Sequence, residues 1–142
     1  MTAQPKRVLG IVHLKQVELG RAKRSSASAP TKEAAVRDLS PGDHVIYHAP
    51  RTEPGGDLVQ AFVAQATVTG AAPIETEFVA GHTGWAREAT YDPAAAAPVG
   101  PLLASLSFVR DARDWGTAFR GGWRALSEPD YAAIRAGPFA HG

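Results

Sequence analysis

Three tryptophans, each with arginine nearby, are the residues of this sequence whose types and spacing could do chemistry. They are Trp85 with Arg87, Trp115 with Arg113, and Trp123 with Arg120 and Arg124. An aromatic ring beside a guanidinium group can stack on a nucleobase while the guanidinium pairs with a phosphate. The same tryptophans could instead anchor an irregular part of the core, with each indole N–H bonded to backbone. The pattern favours a binding site for a base or a similar heterocycle.

Histidine, serine and carboxylate residues offer little for a metal or catalytic centre. His44 and His48 are four positions apart in a predicted strand, which separates them by ~13 Å, too far for one metal ion. The serines between positions 25 and 28 fall in a predicted loop that holds no general base. Glu75 and Glu77 alternate with apolar residues, which predicts a solvent-exposed face of a strand. We therefore expect no metal site, no cofactor and no catalytic activity.

The size and composition of the chain indicate one soluble domain. Its 142 residues are 44% hydrophobic and 20% charged, and they include no cysteine, which excludes disulfides and thiolate metal sites. No run of ~18 apolar residues could span a membrane, and no apolar segment of the signal-peptide type follows the polar N-terminus. We expect a cytoplasmic monomer with a flexible tail at residues 1–7 and a single domain at residues 8–142.

Positive charge is concentrated in the first quarter of the chain. Residues 1–37 contain eight Lys or Arg and two Glu, a net charge of +6, whereas the remainder has a net charge of −5. Residues 21–30 are rich in Ser, Ala, Arg and Lys without periodicity, which predicts a mobile loop. The basic residues of that loop, Arg21, Lys23 and Arg24, could contact phosphates or could form a solvated face.

Apolar patterns along the chain predict short strands and helices. The predicted strands are 8–12, 44–48, 58–68, 74–79, 85–91 and 107–110, and the predicted helices are 13–19, 32–39, 101–106 and one opened by Ser127 and closed by Gly137. The strand at 58–68 has apolar residues on both faces, which suits the wall of a small barrel covered by helices. The pattern indicates an α+β domain with about six strands and three or four short helices around a curved or closed sheet.

Several segments of the sequence resemble the EVE-domain family. They are residues 43–68 (DHVIYHAPRTEPGGDLVQAFVAQATV), residues 98–126 (PVGPLLASLSFVRDARDWGTAFRGGWRAL), the tripeptide Trp85-Ala86-Arg87, and residues 8–20 (VLGIVHLKQVELG). The likeness covers nearly the whole chain in the same order. It implies a PUA-like fold, a small mixed β-barrel with short helices around it, related to the YTH domains. It also implies a non-enzymatic protein that binds DNA or RNA and reads a modified base, chiefly a modified cytosine such as 5-methylcytosine in DNA.

The resemblance further implies which residues form a base pocket and which contact phosphates or base edges. The implied pocket residues are His13, Tyr47, His48, Pro50, Trp85, Trp115 and Phe119, and the implied phosphate or base-edge contacts are Lys32, Arg87 and Arg120. An extruded base needs stacking rings, partners for its Watson–Crick edge, and cations for the flanking phosphates. The sequence departs from the family at residues 20–31, where Arg, Ser and Ala replace the family's usual residues. This departure would either alter ligand preference or give a loop that becomes ordered only on binding.

Other functions remain open from the sequence. A pocket for a small anionic or heterocyclic ligand, such as a nucleotide metabolite, would use the same Arg-flanked tryptophans. An enzyme acting on a base would use His13 or His48 as an acid or base, and a protein-interaction module would use the acidic remainder of the chain. Binding of polynucleotides with a steep salt dependence would distinguish a nucleic-acid ligand from a small one.

Overall fold

Strands supply most of the architecture. The computed structural model describes residues 5–27, 38–79, 82–92, 96–107, 109 and 123–135. Within these ranges the strands are β1 (Arg7–Ile11), β2 (Ser25–Ala27), β3 (His44–Arg51), β4 (Leu58–Val68), β5 (Ile74–Val79), β6 (His82–Tyr91), β7 (Ala97–Pro98) and β8 (Trp123–Ala125). The helices there are α1 (Leu14–Lys23), a 3₁₀ helix (Gly100–Ser105) and α2 (Glu128–Arg135).

The expected α+β class is confirmed, although the element count differs. The described residues form eight strands where about six were expected, and two α-helices with one 3₁₀ helix where three or four helices were expected. The predicted helix at 101–106 is the 3₁₀ helix. Residues 32–37 of the predicted helix at 32–39 lie outside the described residues.

The strands form a mixed, barrel-like sheet in the order β2-β6-β4-β3-β1-β8. β1 runs parallel to β3, with Arg7 beside His44 and Ile11 beside His48, and the other pairs in the described residues are antiparallel. β5 pairs with the first half of β6, and β7 pairs with the first half of β4. β4 and β6 each pair with three neighbours and so form the centre of the sheet.

Apolar residues cover both sides of the sheet, as the pattern of β4 predicted. On the side where α1 packs, here called the α1 side, the core includes Val17 and Tyr47. On the opposite side, here called the α2 side, the core includes Ile46, Phe62 and Ile134. Successive residues of a strand project to opposite sides of a sheet, so most sequence neighbours belong to different cores, whereas Val63 and Ala64, at a bulge of β4, both belong to the α1 side.

Bulges bend the sheet where β3 pairs with β4. The register shifts after Tyr47 and again after Ala49. Near the second shift Gln60 adopts a φ of 49°, in the left-handed region. Its backbone oxygen accepts a hydrogen bond from the Val99 amide at 3.0 Å, which ties β4 to the segment before the 3₁₀ helix. Bulges increase local twist and bend a strand, and they curve this sheet towards a barrel.

The prediction of a loop at residues 21–30 is wrong over the described part of that segment. α1 continues through Lys23, Arg24 closes it with a φ of 53°, and β2 follows at once. β2 then pairs with β6, with Ser26 opposite Arg87. Three residues of strand carry little periodic signal of their own, so pairing with β6 rather than local sequence decides their conformation. Arg21, Lys23 and Arg24 therefore lie at the end of α1 and not in a basic loop.

Turn and cap signals that depend on a few adjacent residues are confirmed. The turn at residues 40–43 is present, and Gly42 adopts a φ of 97° that favours glycine. At the start of α2 the Asp130 amide donates to the Ser127 hydroxyl at 3.3 Å, as expected for an N-cap. The predicted pairing of residues 74–79 with 85–91 is also confirmed, and β6 begins three residues earlier. Gly137 lies outside the described residues.

The predicted strand at 107–110 is wrong at both of its described positions. Ser107 and Val109 are not in a strand. The Ser107 amide and hydroxyl both donate to the Asp130 carboxylate, at 2.7 and 2.6 Å. The Asp130 side chain of α2 therefore accepts the hydrogen bonds from Ser107 in place of a neighbouring strand.

Residues 5–7, which were assigned to the expected tail, contact the rest of the domain. The Lys6 amide donates to the Asp43 carboxylate at 2.9 Å, and the His44 amide donates to the Lys6 carbonyl at 2.9 Å. Arg7 is the first residue of β1. None of the helices in the described residues is long and apolar enough to cross a membrane.

Candidate ligand-binding site

Tyr47 and His48 lie on opposite sides of β3. Tyr47 belongs to the core of the α1 side, whereas His48 packs edge-on against Phe62 of the α2 side, with ring centroids 5.5 Å apart. Burial lowers the pKa of His48 to about 4, which keeps its ring neutral at pH 7. The structure therefore does not bring the two side chains into one pocket, because adjacent strand residues alternate between faces.

The α1 side is organised around a pair of tyrosines. The rings of Tyr47 and Tyr91 stack with centroids 6.5 Å apart and planes inclined by 9°. The Tyr91 hydroxyl donates to the Ser25 carbonyl at 2.8 Å, and burial raises the pKa of this phenol. A β-carbon added to Gly20 would lie 2.8 Å from each of these two oxygens. α1 can approach the pair closely because this helical position has no side chain.

Arg21 is held at the edge of this pair. Its guanidinium lies over the Tyr91 ring, 5.1 Å from the centroid, and donates to the Asp92 carbonyl at 2.7 Å. Lys23 and Arg24 are exposed at the same end of α1, where cations interact favourably with the helix dipole. Arg21 is thus a structural contact.

Two buried polar atoms occupy the start of α1. His13 is the N-cap residue in extended conformation, and its carbonyl accepts hydrogen bonds from the Gln16 and Val17 amides at 3.0 and 3.1 Å. Among the residues that the structure describes, His13 Nδ1 and Gln16 Nε2 are buried and have no hydrogen-bond partner. Residues three apart are neighbours on one face of a helix. Val17, next in sequence, is buried in the core of the α1 side.

Arg87 lies in the interior, although the resemblance implied a phosphate or base-edge contact. It is 2% exposed, and its guanidinium donates to the carbonyls of Leu39 and Gly70, the latter at 2.6 Å. Residues of β6 alternate, so Arg87 shares the α1 side with Ala89 and Tyr91. A guanidinium committed to two buried carbonyls connects the segment before β3 to the β4–β5 turn, and it is not presented to a phosphate.

Trp85 differs from Arg87 because no hydrogen bond or ring contact holds its side chain within the described residues. It is half-buried, and there its side chain makes no hydrogen bond, ring contact or cation contact. By alternation along β6 it lies on the α1 side with Arg87. The residue directly opposite it on β5 is Glu75. An indole usually finds a partner for its N–H when it is buried, which makes Trp85 a candidate to stack on a ligand.

Of the remaining site residues that the resemblance implies, the structure describes one, and the other four lie outside the described ranges. Pro50 is half-buried near the end of β3. Lys32, Trp115, Phe119 and Arg120 lie outside the described residues. Within the described ranges no group of three His, Asp or Glu side chains could hold a metal ion.

Sequence comparison places the chain among bacterial relatives. A protein of Mycolicibacterium vanbaalenii, described as a UPF0310 protein, is 32% identical over 129 residues, which cover 88% of this chain and 89% of the relative. The chain belongs to the UPF0310 family. Proteins with the same description from Mycolicibacterium gilvum (31% over 120 residues, 84% and 85% of the two chains) and Mesorhizobium japonicum (34% over 106 residues, 72% and 71%) are also similar. No protein-family model matches the sequence.

Two solved structures share the fold of this UPF0310 protein. The crystal structure of protein Atu2648 from Agrobacterium tumefaciens has a TM-score of 0.57 and 12% sequence identity, over 93% of this chain and 92% of that chain. The NMR structure of Rpa0253 from Rhodopseudomonas palustris has a TM-score of 0.61 and 9% identity, over 96% and 95%. At these identities the likeness concerns the fold alone.

Three residues of this candidate site carried no signal in the sequence. Gln16 gave no signal, because a glutamine in a short helix resembles any solvated residue. Glu75 is exposed, as its alternation with apolar residues predicted, but its position opposite Trp85 depends on the strand register. Tyr91 was treated only as the end of a strand. A useful signal was available for Tyr47 and His48, because adjacent positions of a regular strand face opposite sides.

Proposed function

We propose that this UPF0310 protein binds nucleic acid without catalysis and takes one base, a modified cytosine of DNA, into a pocket on the α1 side of the sheet. Trp85 would stack on the base, His13 and Gln16 would bond to its edge, and Tyr47 with Tyr91 would form the floor. Trp115 and Phe119 keep the pocket roles that the resemblance to EVE domains implies, and Lys32 and Arg120 keep the phosphate roles.

One observation carries this proposal: two buried nitrogen atoms at the start of α1 have no hydrogen-bond partner among the described residues. Leaving a buried donor or acceptor unpaired costs ~1–3 kcal/mol, and native proteins keep only a few such atoms. Because His13 and Gln16 are three residues apart, their side chains are neighbours. Two adjacent polar groups match the donor and acceptor pattern of a heterocycle edge, so a bound base would satisfy both.

Aromatic surface on the same side supports a flat ligand. Trp85 is half-buried, and its side chain makes no hydrogen bond, ring contact or cation contact in the described residues. Base stacking on an aromatic side chain contributes ~1–3 kcal/mol. A partly exposed indole on the same side of the sheet offers the stacking surface that an extruded base requires.

Charge supports a polyanion over a neutral ligand. Residues 1–37 have a net charge of +6. Lys23 and Arg24 are exposed at the end of α1, the helix that begins beside the two unpartnered nitrogens, whereas Lys15 pairs with Glu53 at 2.7 Å. Cations around a base pocket would bind the flanking phosphates and make affinity depend on salt.

The experiment is fluorescence polarisation with short labelled DNA carrying cytosine, 5-methylcytosine or 5-hydroxymethylcytosine at one position, at two salt concentrations. We expect tighter binding of one modified oligonucleotide at both salts. Gln16→Leu should weaken that binding ~3–10-fold, the value of one hydrogen bond, whereas Ala22→Ser, an exposed position on the same helix, should not.

Two results would contradict the proposal. Binding that ignores the modification and disappears at high salt would leave only non-specific charge attraction. Tight binding of mononucleotides, with no salt dependence for oligonucleotides, would instead indicate a pocket for a small anionic or heterocyclic ligand.

A further inference from the structure

Glu75 and Trp85 form a directly opposite pair in the antiparallel ladder of β5 and β6. Directly opposite residues point to the same side of a sheet, with β-carbons ~4.5–5.5 Å apart. Ile74, the preceding residue, pairs with Ala86 and points to the other side. The Glu75 carboxylate therefore lies beside the indole, on the α1 side of the sheet.

The Glu75 carboxylate has no protein partner within the described residues. Glu75 is exposed, and its side chain makes no ion pair or hydrogen bond there. Trp85 likewise makes no hydrogen bond, ring contact or cation contact in that part of the chain. α1 lies against β5 as well as against β2, β3 and β4. An acceptor and a stacking surface are thus adjacent on the side of the sheet that α1 covers.

An ionised carboxylate selects among bases because it only accepts hydrogen bonds. Cytosine presents an exocyclic amino group that donates, and Glu or Asp is its usual acidic partner. Thymine presents a carbonyl oxygen at the same position, which would face the carboxylate as a second acceptor. 5-Methylcytosine and thymine share the 5-methyl group and differ on the edge that pairs, at the 4-position and at N3, and the amino group is the difference that an acceptor at the 4-position can read.

We propose that Glu75 accepts a hydrogen bond from the exocyclic amino group of the base stacked on Trp85, and that this contact selects cytosine and its derivatives over thymine. The inference rests on the proposed function, because it needs a base in the pocket. It adds the residue that distinguishes an amino from a carbonyl group on the pyrimidine.

The test compares 5-methylcytosine with thymine at one position of a short duplex, opposite an abasic site, so that no base pair resists extrusion. The quantity measured is the ratio of the two dissociation constants for the full-length protein. We expect wild type to prefer 5-methylcytosine ~10-fold or more. Glu75→Gln should lose most of that preference, because a glutamine amide can turn to donate to the thymine carbonyl.

Glu88→Gln is the matched control. Glu88 is an exposed residue of β6 that pairs with Ser25 on the opposite face from Trp85, so its replacement removes the same charge without approaching the ring. We expect Glu88→Gln to raise affinity for both duplexes equally through weaker repulsion of phosphates, and to leave the ratio unchanged. Both positions are exposed, and circular dichroism would verify that both variants fold.

The outcomes separate this inference from the function on which it rests. If Glu75→Gln changes both affinities equally, as Glu88→Gln does, Glu75 is a surface charge and the inference is overturned. If wild type distinguishes 5-methylcytosine from cytosine but not from thymine, the inference also fails while base reading stands. If wild type distinguishes none of the three, both the inference and the proposed function fail.

Discussion

The Tyr91 hydroxyl donates a hydrogen bond to the Ser25 carbonyl at 2.8 Å, at the junction where α1 ends and β2 begins. The ring of Tyr91 meanwhile stacks on Tyr47 at the centre of the sheet. One side chain thus connects the α1–β2 junction to β3. This connection positions α1, and with it the two polar side chains proposed to bind a base.

The close approach of α1 to Tyr91 predicts an unusual effect of Gly20→Ala. Alanine normally stabilises a helix interior by ~1 kcal/mol relative to glycine. Here its β-carbon would lie 2.8 Å from both the Tyr91 hydroxyl and the Ser25 carbonyl. We expect a net loss of ~1–3 kcal/mol in the free energy of unfolding, measured by urea denaturation.

The double variant with Tyr91→Phe tests the cause of that loss. Removing the hydroxyl removes one of the two crowded oxygens, so the double variant should lose less than the sum of the single effects. Additive losses would show that the hydroxyl does not limit the approach of α1.

Arg87 should contribute to stability rather than to phosphate binding. Arg87→Lys keeps the charge but cannot reach the Leu39 and Gly70 carbonyls in the same way. We expect a loss of ~1–3 kcal/mol in the free energy of unfolding, with an unchanged slope of log Kd against log salt for DNA.

Arg24→Met is the contrasting variant, because Arg24 is exposed at the end of α1. Its free energy of unfolding should stay within ~0.5 kcal/mol of wild type, and the salt slope should fall by about one unit. If Arg87→Lys instead lowers the salt slope and leaves the free energy of unfolding unchanged, Arg87 is a phosphate contact and not a structural residue.

His48 should make the protein less stable in mild acid. Burial lowers its pKa in the folded state to about 4, below the ordinary value of 6.5, so between these values the unfolded chain binds the extra proton. The contribution of His48 to stability is therefore complete above pH 6.5 and is lost as the pH falls towards 4. The loss should reach ~3 kcal/mol.

His48→Leu should flatten this dependence of the free energy of unfolding on pH, measured by urea denaturation between pH 4 and 7. The pKa of His44 is also lowered, by burial and by the charge of Arg7, so some acid sensitivity should remain. An identical pH profile in wild type and variant would mean that His48 does not titrate below its ordinary range.

Trp85 should matter for binding and little for folding. Trp85→Ala removes a half-buried ring that makes no hydrogen bond, ring contact or cation contact in the described residues. We expect binding of the preferred DNA to weaken by ~1–3 kcal/mol. Leu58→Ala, at an exposed apolar position, should leave binding unchanged. If Trp85→Ala lowers the free energy of unfolding but leaves the affinity of the folded variant for DNA unchanged, the indole is a core residue and not a binding residue.

Much of the fold follows from local signals in the sequence. The apolar run of β4, the glycine turn at residues 40–43 and the Ser127 cap each depend on a few adjacent residues, and each appears as expected. Such signals are reliable because each depends on residues within one element or turn. This holds for the burial of a strand, for a left-handed backbone position and for the cap of a helix.

The sequence by itself determined the α+β class, the main strands and the residue types suited to a flat, charged ligand. Only the tertiary structure decided how those residues are used: Arg87 donates to two buried carbonyls, α1 continues past Gly20, and Glu75 meets Trp85. The physical reason is that these outcomes depend on register and on contacts between residues far apart in the chain. A shift of one residue in β5 would turn Glu75 to the other face of the sheet.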